Sequence, residues 1–216
     1  MLPQNFIFIG RSGCGKGTQA KLLGEYLNKI DPQRKAFFLE TGVEFRKFIQ
    51  GESYTQRLSK KIYGDGGSQP EFLSVYMWSR VLAESFKENE HLIVDGTPRR
   101  FHEAGALDSI FDFYKREKPY LIFLNISKGW ATERLKGRGR IDDNHEDIEA
   151  RLKWYETDVV PAIDFYRNNP KYNFLEINGE QTIEKVHQDI LESLHNLDVS
   201  FPSLRKLGNE TSKLKL

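Results

Sequence analysis

Nine consecutive residues, Gly10-Arg11-Ser12-Gly13-Cys14-Gly15-Lys16-Gly17-Thr18, set glycines, hydroxyls and a single lysine in one short run. An apolar run, Phe6–Ile9, precedes them, and a stretch of helical spacing follows. Small residues let a backbone wrap closely around phosphate oxygens with its N–H groups turned inward. The helix that follows adds the positive end of its dipole. Lys16 supplies a full charge to β- and γ-phosphates. Gly13, Cys14, Gly15, Lys16, Gly17 and Thr18 are therefore candidate contacts for a nucleotide triphosphate. A glycine-rich turn without ligand is the plain alternative. The usual pattern has Ser or Thr directly after the lysine; here Gly17 intervenes and the hydroxyl is Thr18. Cys14 reads as a small residue that fits the turn, with a thiol activated by the helix N-terminus as the other reading.

Five apolar runs supply the frame: Phe6–Ile9, Ala36–Leu39, Leu92–Val94, Tyr120–Ile126 and Tyr172–Ile177. They are continuous rather than alternating, as expected of strands covered on both faces. Helical spacing lies between them: Leu22, Leu23, Tyr26, Leu27 and Ile30 share one face, and so do Ile183, Val186, Ile190 and Leu194. Such alternation predicts a parallel sheet with helices on both sides. Right-handed crossovers then place the strand carboxyl ends along one edge, where ligands bind. Residues 41–70 break the rhythm, reading as two short helices and a turn, Gly64-Asp65-Gly66-Gly67, before a long helix over about Glu71–Lys87. Residues 134–142 form a short Arg- and Gly-rich connection. Both read as insertions on the ligand side, or as ordinary surface loops. Residues 1–196 form one domain, and 197–216 a loosely docked tail. Trp78 and Trp154 read as core.

A chain of 216 residues is long enough to bury a core without disulfides or metals. Lys and Arg number 32 against 31 for Asp and Glu, a balance that disfavours a general nucleic-acid binder. One cysteine, Cys14, excludes an intrachain disulfide and a Cys-rich zinc site, and fits a reducing, cytoplasmic home. No apolar stretch approaches the roughly 20 residues of a membrane span, and no signal-peptide pattern is expected.

The order Gly-Lys-Gly-Thr-Gln at 15–19 resembles the adenylate kinase family, and the resemblance continues over about residues 5–195. Thr-Gly-Val-Glu-Phe-Arg at 41–46 resembles the family's monophosphate-site motif. Gly-Gly-Ser-Gln-Pro at 66–70 sits where its strip lines the acceptor base. Val-Asp-Gly-Thr-Pro-Arg-Arg at 94–100 is similar to its D-G-x-P-R motif. Residues 133–138 and 139–152 resemble the start and exit of its lid, and 177–186 the strand and helix beside the donor base. The resemblance implies an α/β P-loop NTPase fold: a five-stranded parallel sheet in three α/β/α layers, with monophosphate-binding and short lid insertions. It implies phosphoryl transfer from MgATP to AMP in a cytoplasmic monomer that binds neither nucleic acid nor membrane.

A monophosphate carries its own anionic nucleophile, so the chemistry is positioning plus charge stabilisation. Holding two polyanions together needs several converging cations, and arginine suits this by its bidentate, permanently charged fork. By resemblance, Arg46 and Arg99 hold the acceptor phosphate, and Arg140 and Arg151 bridge toward the transferring group. Arg138 contacts donor phosphates, while Arg134 and Gln181 lie beside the donor nucleotide. Thr41, Gly42, Gly67, Ser68, Gln69, Gly96, Thr97, Pro98 and Glu103 complete the acceptor site. Asp95, ending the third strand, holds magnesium through water, or else caps a helix. Asp142 and Asp143 read as lid hinge and helix cap rather than as a metal site, and no zinc is expected.

Two departures from the family pattern stand out. Glu103 occupies the position, four residues after Arg99, where the family has a glutamine reading adenine. An ionised Glu offers only acceptors, which suits guanine better. Glu103 alternatively pairs with Arg100 and leaves base reading to the backbone near 67–69. A GMP, CMP or UMP kinase therefore stays open at this point, and as a lesser alternative so does a nucleotide-binding regulator that keeps the fold without turnover. The lid is also very short, with only Gly139 between Arg138 and Arg140. A small lid should exclude water poorly, so ATP hydrolysis without acceptor is expected to be measurable; an undetectable rate beside that of transfer would contradict this.

Overall fold

The structure is a computed structural model, and it describes residues 1–138 and 145–202, without the side chains of 138 and 145–147. Gly139, Arg140, Asp142 and Asp143 of the expected lid, and residues 203–216, lie outside the described residues.

The chain runs β1 (Asn5–Gly10), α1 (Lys16–Ile30), β2 (Ala36–Glu40), α2 (Thr41–Phe48), α3 (Tyr54–Gly64), α4 (Glu71–Ser85) and β3 (His91–Asp95). It continues through α5 (Phe101–Phe113), β4 (Tyr120–Asn125), α6 (Lys128–Arg138), α7 (His145–Trp154), a π turn (Tyr155–Val159), α8 (Val160–Arg167), β5 (Asn173–Asn178) and α9 (Ile183–Leu197). All five strands are parallel, in the order β2-β3-β1-β4-β5. The connection from β1 runs to one side, to β2, and that from the adjacent β3 runs to the other, to β4. A crevice opens at the carboxyl end of β1, where the glycine-rich loop begins.

Alternate side chains of β1 feed two cores, one on each sheet face. Phe6 and Phe8 pack with Leu23 and Leu27 of α1 and Ile190 and Leu194 of α9. Ile7 and Ile9 pack with Trp78 of α4, Leu107 of α5 and Ile163 of α8. Each such fully buried side chain contributes about 1.5–3 kcal/mol. These are the three layers expected from the runs. The continuous burial expected of every strand holds for β1, β3 and β4, but not for the two edge strands: only Leu39 is buried in β2, and β5 is half covered and exposes Glu176. A small third core, Phe45 with Leu73 and Met77, seats α2 on α4 and fixes the insertion to the domain.

One expectation about packing is corrected: Leu22 leaves the buried face of α1 and lines the cleft instead. Just after α9, Phe201 is fully buried against Phe6 and Tyr120, and its carbonyl lies 2.7 Å from His195 Nδ1.

On α9, burial with Lys29 nearby lowers the His187 pKa to about 4, and its Nδ1 has no hydrogen-bond partner. The unfolded chain titrates this imidazole near 6.5. Between those values the unfolded state binds more protons, so acidification from about pH 6.5 to 4 should favour unfolding. His187→Leu is expected to lose that part of the slope. Urea unfolding at several pH values checks this, and parallel profiles for the two proteins would refute it.

Candidate active site

The loop after β1 has the shape its glycines suggested. Gly13 and Gly15 have φ of 86° and 92°, in the left-handed region that glycine adopts at little cost. Gly15 caps α1 without a side-chain hydrogen bond, so the first N–H groups of the helix face the cleft. Lys16 Nζ donates to the carbonyls of Gly10 at 2.8 Å and Arg11 at 3.1 Å, and lies 3.5 Å from the buried Cys14 Sγ. Arg11 turns away from the loop. Its guanidinium lies over the Tyr155 ring at 4.0 Å and pairs with Glu156 at 2.7 Å, which ties the loop to the π turn. The unusual Gly17 has a local reason: a Cβ there would stand 3.2 Å from Asp95 Oδ2. A side chain between Lys16 and Thr18 would crowd the carboxylate at the end of β3.

A second corner forms where α2 starts beside the end of β3. The helix begins at Thr41 with no side-chain cap, so it too offers free N–H groups. Gly42 N and Thr41 Cβ lie within about 4 Å of where a Gly96 side chain would begin, and Arg99 Nη2 is 3.8 Å from the same point. Arg99 Nε donates to Gly96 O at 3.0 Å. Burial lowers the Arg99 pKa, with Glu103 and Asp95 opposing that shift. Arg46 reaches the corner from the next turn of α2, its Nη1 3.4 Å from a Gly42 Cβ position. Thr41 is buried, and its Oγ1 has no hydrogen-bond partner.

Residues 66–69 run between α3 and α4, and they are held from both sides. Ser59 Oγ donates to Gln69 Oε1 at 2.8 Å, and Gln69 Nε2 donates to Ser59 O at 3.0 Å. Arg100 donates to Gln69 O at 2.8 Å and to Ser68 Oγ at 2.9 Å, and pairs with Asp158 of the π turn at 3.0 Å. Glu103 is 1% exposed. Its Oε2 accepts from Arg99 N at 2.8 Å and from Thr97 Oγ1 at 3.4 Å, while Oε1 lies 3.6 Å from Arg100 Nη1. Burial pushes its pKa up, against the pull of Arg99 and Arg100.

The far wall comes from α6 and α7. Arg134 stands over Trp130 at 5.3 Å, and Arg99 faces Trp154 at 5.2 Å. Together these surfaces enclose a cleft of about 970 Å³. Lys16, Lys21, Arg46, Arg99, Arg134 and Arg151 line it against Glu40, Asp95 and Glu133. The balance is positive, and a concave, low-dielectric wall concentrates such a field.

The structure thus gathers Gly13, Gly15, Lys16, Gly17, Thr18, Gly42, Arg46, Gly67, Gln69, Asp95, Gly96, Arg99, Arg134 and Arg151 on one cleft. Cys14, Thr41, Thr97 and Pro98 support that wall from behind; Pro98 follows a cis peptide bond. Ser68 and Glu103 are turned toward Arg100 rather than the cleft. Gln181 Nε2 is engaged by Asn178 O and Asp189. Arg140 and the Arg138 side chain fall outside the described residues.

Trp154 packs against the second core as read, but it is only half-buried and its other side walls the cleft. Trp130 was missed; the pairing of Glu103 with Arg100, read as the alternative to base contact, is present at 3.6 Å, while the bonds from Arg100 to residues 68 and 69 and to Asp158 were not foreseen. A signal existed for both tryptophans, since Trp130 precedes Arg134 by four residues and Trp154 follows Arg151 by three, which puts each pair on one helix face. The other partners of Arg100 come from distant segments and left no such pattern.

Among the described residues, no group of three or more His, Cys, Asp or Glu is placed to hold a metal ion, and no helix is long and apolar enough to cross a membrane. A family model described as adenylate kinase matches residues 8–171. The chain is 30% identical to an adenylate kinase of Flavobacterium psychrophilum, over 89% of this chain and 99% of that protein. It is 31% identical to one of Mycolicibacterium smegmatis, over 87% and 97%. For one of Leptospira biflexa the identity is 32%, over 88% and 100%.

Proposed function

The chain belongs to the adenylate kinase family, and from that premise we propose that its cleft moves a phosphoryl group reversibly from MgATP to AMP, giving two ADP. The observation that carries this is the pair of uncapped helix starts, α1 and α2, opening on one cationic cleft with Asp95 between them. One helix start suits the donor phosphates and the other the acceptor phosphate.

In this reading the α1 N-terminus, Lys16 and Arg134 hold ATP, with Arg138 from the lid. Gly42, Arg46 and Arg99 hold the AMP phosphate at the start of α2, and Thr41 backs that corner from behind. An AMP phosphate oxygen attacks the γ-phosphorus in line. The bond from that phosphorus to the β,γ-bridging oxygen breaks, and ADP leaves with the electron pair. Lys16, Arg99 and Arg151, with Arg140 from the lid, neutralise charge on the transferring group. Magnesium fits this site, because a single carboxylate with a water shell is the donor set it prefers. Asp95 would hold it through water, and the ion would offset donor phosphate charge. The side-chain placement of Glu103 leaves the acceptor base to the backbone of residues 67–69. The lone thiol fits a cytoplasmic enzyme, and we extend the reading to a monomer acting on free nucleotides.

Initial rates with MgATP and AMP, GMP, CMP or UMP test the assignment. AMP is expected to be the fastest acceptor by at least about tenfold, an ordinary margin for hydrogen-bonded recognition. A GMP or UMP rate well above the AMP rate would overturn it.

A further inference from the structure

Trp154 closes α7, three residues after Arg151, and it makes two contacts across the cleft. The Arg99 guanidinium carbon lies 5.2 Å from its ring centroid, and its Nε1–H donates to Gly66 O at 3.4 Å. The indole also walls a side cavity of about 40 Å³ that Lys16 and Arg99 share.

Stacking has a consequence that an ion pair would not. A guanidinium laid on a ring face keeps its in-plane N–H groups free for another partner. A carboxylate in the same place would consume them. Arg99 is fixed along one edge by Gly96 O, and its guanidinium carbon stands over the Trp154 ring. The ring helps to orient the charge without adding a counter-charge to those of Glu103 and Asp95.

The second contact reaches Gly66, at the start of the strip that runs to Gln69. The far end of that strip is held by Arg100, which pairs with Asp158. Trp154 and Asp158 lie within one short stretch that spans the π turn, and π turns often mark functional sites. One stretch of chain therefore holds both ends of the strip and the face of Arg99.

We propose that Trp154 is a positioning residue for the acceptor: its ring sets the plane of Arg99, and its N–H holds the Gly66 end of the acceptor strip. This rests on the proposed function, in which Arg99 binds the AMP phosphate.

The full chain with Trp154→Leu or Trp154→Phe is compared with the wild type by steady-state kinetics, varying each nucleotide at saturating co-substrate, with thermal unfolding as the control for folding. Trp154→Leu is expected to raise the KM for AMP about tenfold, the scale of a desolvated cation–π contact. The KM for ATP should stay within about twofold. Trp154→Phe keeps a ring face and should recover most of the loss. Tryptophan emission gives a second readout that needs no Leu variant. Trp78 is fully buried and Trp130 lies at Arg134, so AMP alone should change emission in the wild type but not in Trp154→Phe. An unchanged KM for AMP in Trp154→Leu overturns the proposal. Equal rises in both KM values do so too, as does a Phe variant as impaired as the Leu variant, or an AMP-induced emission change that survives in Trp154→Phe. A wild type that transfers no phosphoryl group sinks the proposed function instead, and the emission titration with AMP still reads the Trp154 contact.

Discussion

Lys16→Met should lower kcat by a factor on the order of 10³ or more while leaving the fold intact. The lysine is held where its charge is needed: Nζ rests on the Gly10 and Arg11 carbonyls at the mouth of the loop, on the same cleft wall as Asp95. Methionine keeps most of the stem and its packing but carries no charge. Ground-state binding of ATP keeps the α1 N-terminus and the loop N–H groups, so KM for ATP should rise far less than kcat falls. A coupled assay of ADP formation measures both, and thermal unfolding should be nearly unchanged. A kcat within tenfold of wild type would remove Lys16 from the proposed chemistry.

Arg99→Met should cost about 10³ in kcat/KM for AMP, with a much smaller change in KM for ATP. Burial lowers the Arg99 pKa, yet a guanidinium stays protonated throughout the working range. The variant therefore deletes a permanent charge that Gly96 O and the Trp154 ring have already oriented. Arg99→Lys should recover only part of the loss, because an ammonium neither stacks flat nor offers a bidentate fork. Full rescue by lysine would mean that charge alone matters at this position and that its geometry does not. Arg99→Met also leaves Glu103 with one fewer cation beside it, so a stability measurement should accompany the kinetics.

The sheet was legible because its strands are short continuous apolar runs, and the donor loop because its glycines must take backbone angles other residues avoid. Strand limits moved by a residue or so, as at Tyr172, which packs beneath β5 rather than joining it. What periodicity cannot separate is a core from a cleft wall. Leu22 and Trp154 both sit at apolar helical positions, and both face the cleft. The burial of Phe201 was equally hard to see, since one aromatic residue makes no pattern. The pairing of Arg100 with Glu103 was legible at a spacing of three, but the bonds from Arg100 to residues 68, 69 and 158 join segments that only the folded chain brings together. Gly17 was read as a departure in the loop, but its cause, the Asp95 carboxylate, lies on another strand.

The most direct test of the central reading supplies one nucleotide and no partner. Incubated with MgADP alone and followed by phosphorus NMR, the protein should produce ATP and AMP in equal amounts and approach the same mixture from ATP plus AMP. Failure to form ATP from ADP, or release of inorganic phosphate in place of ATP, would contradict phosphoryl transfer between two nucleotides in this cleft.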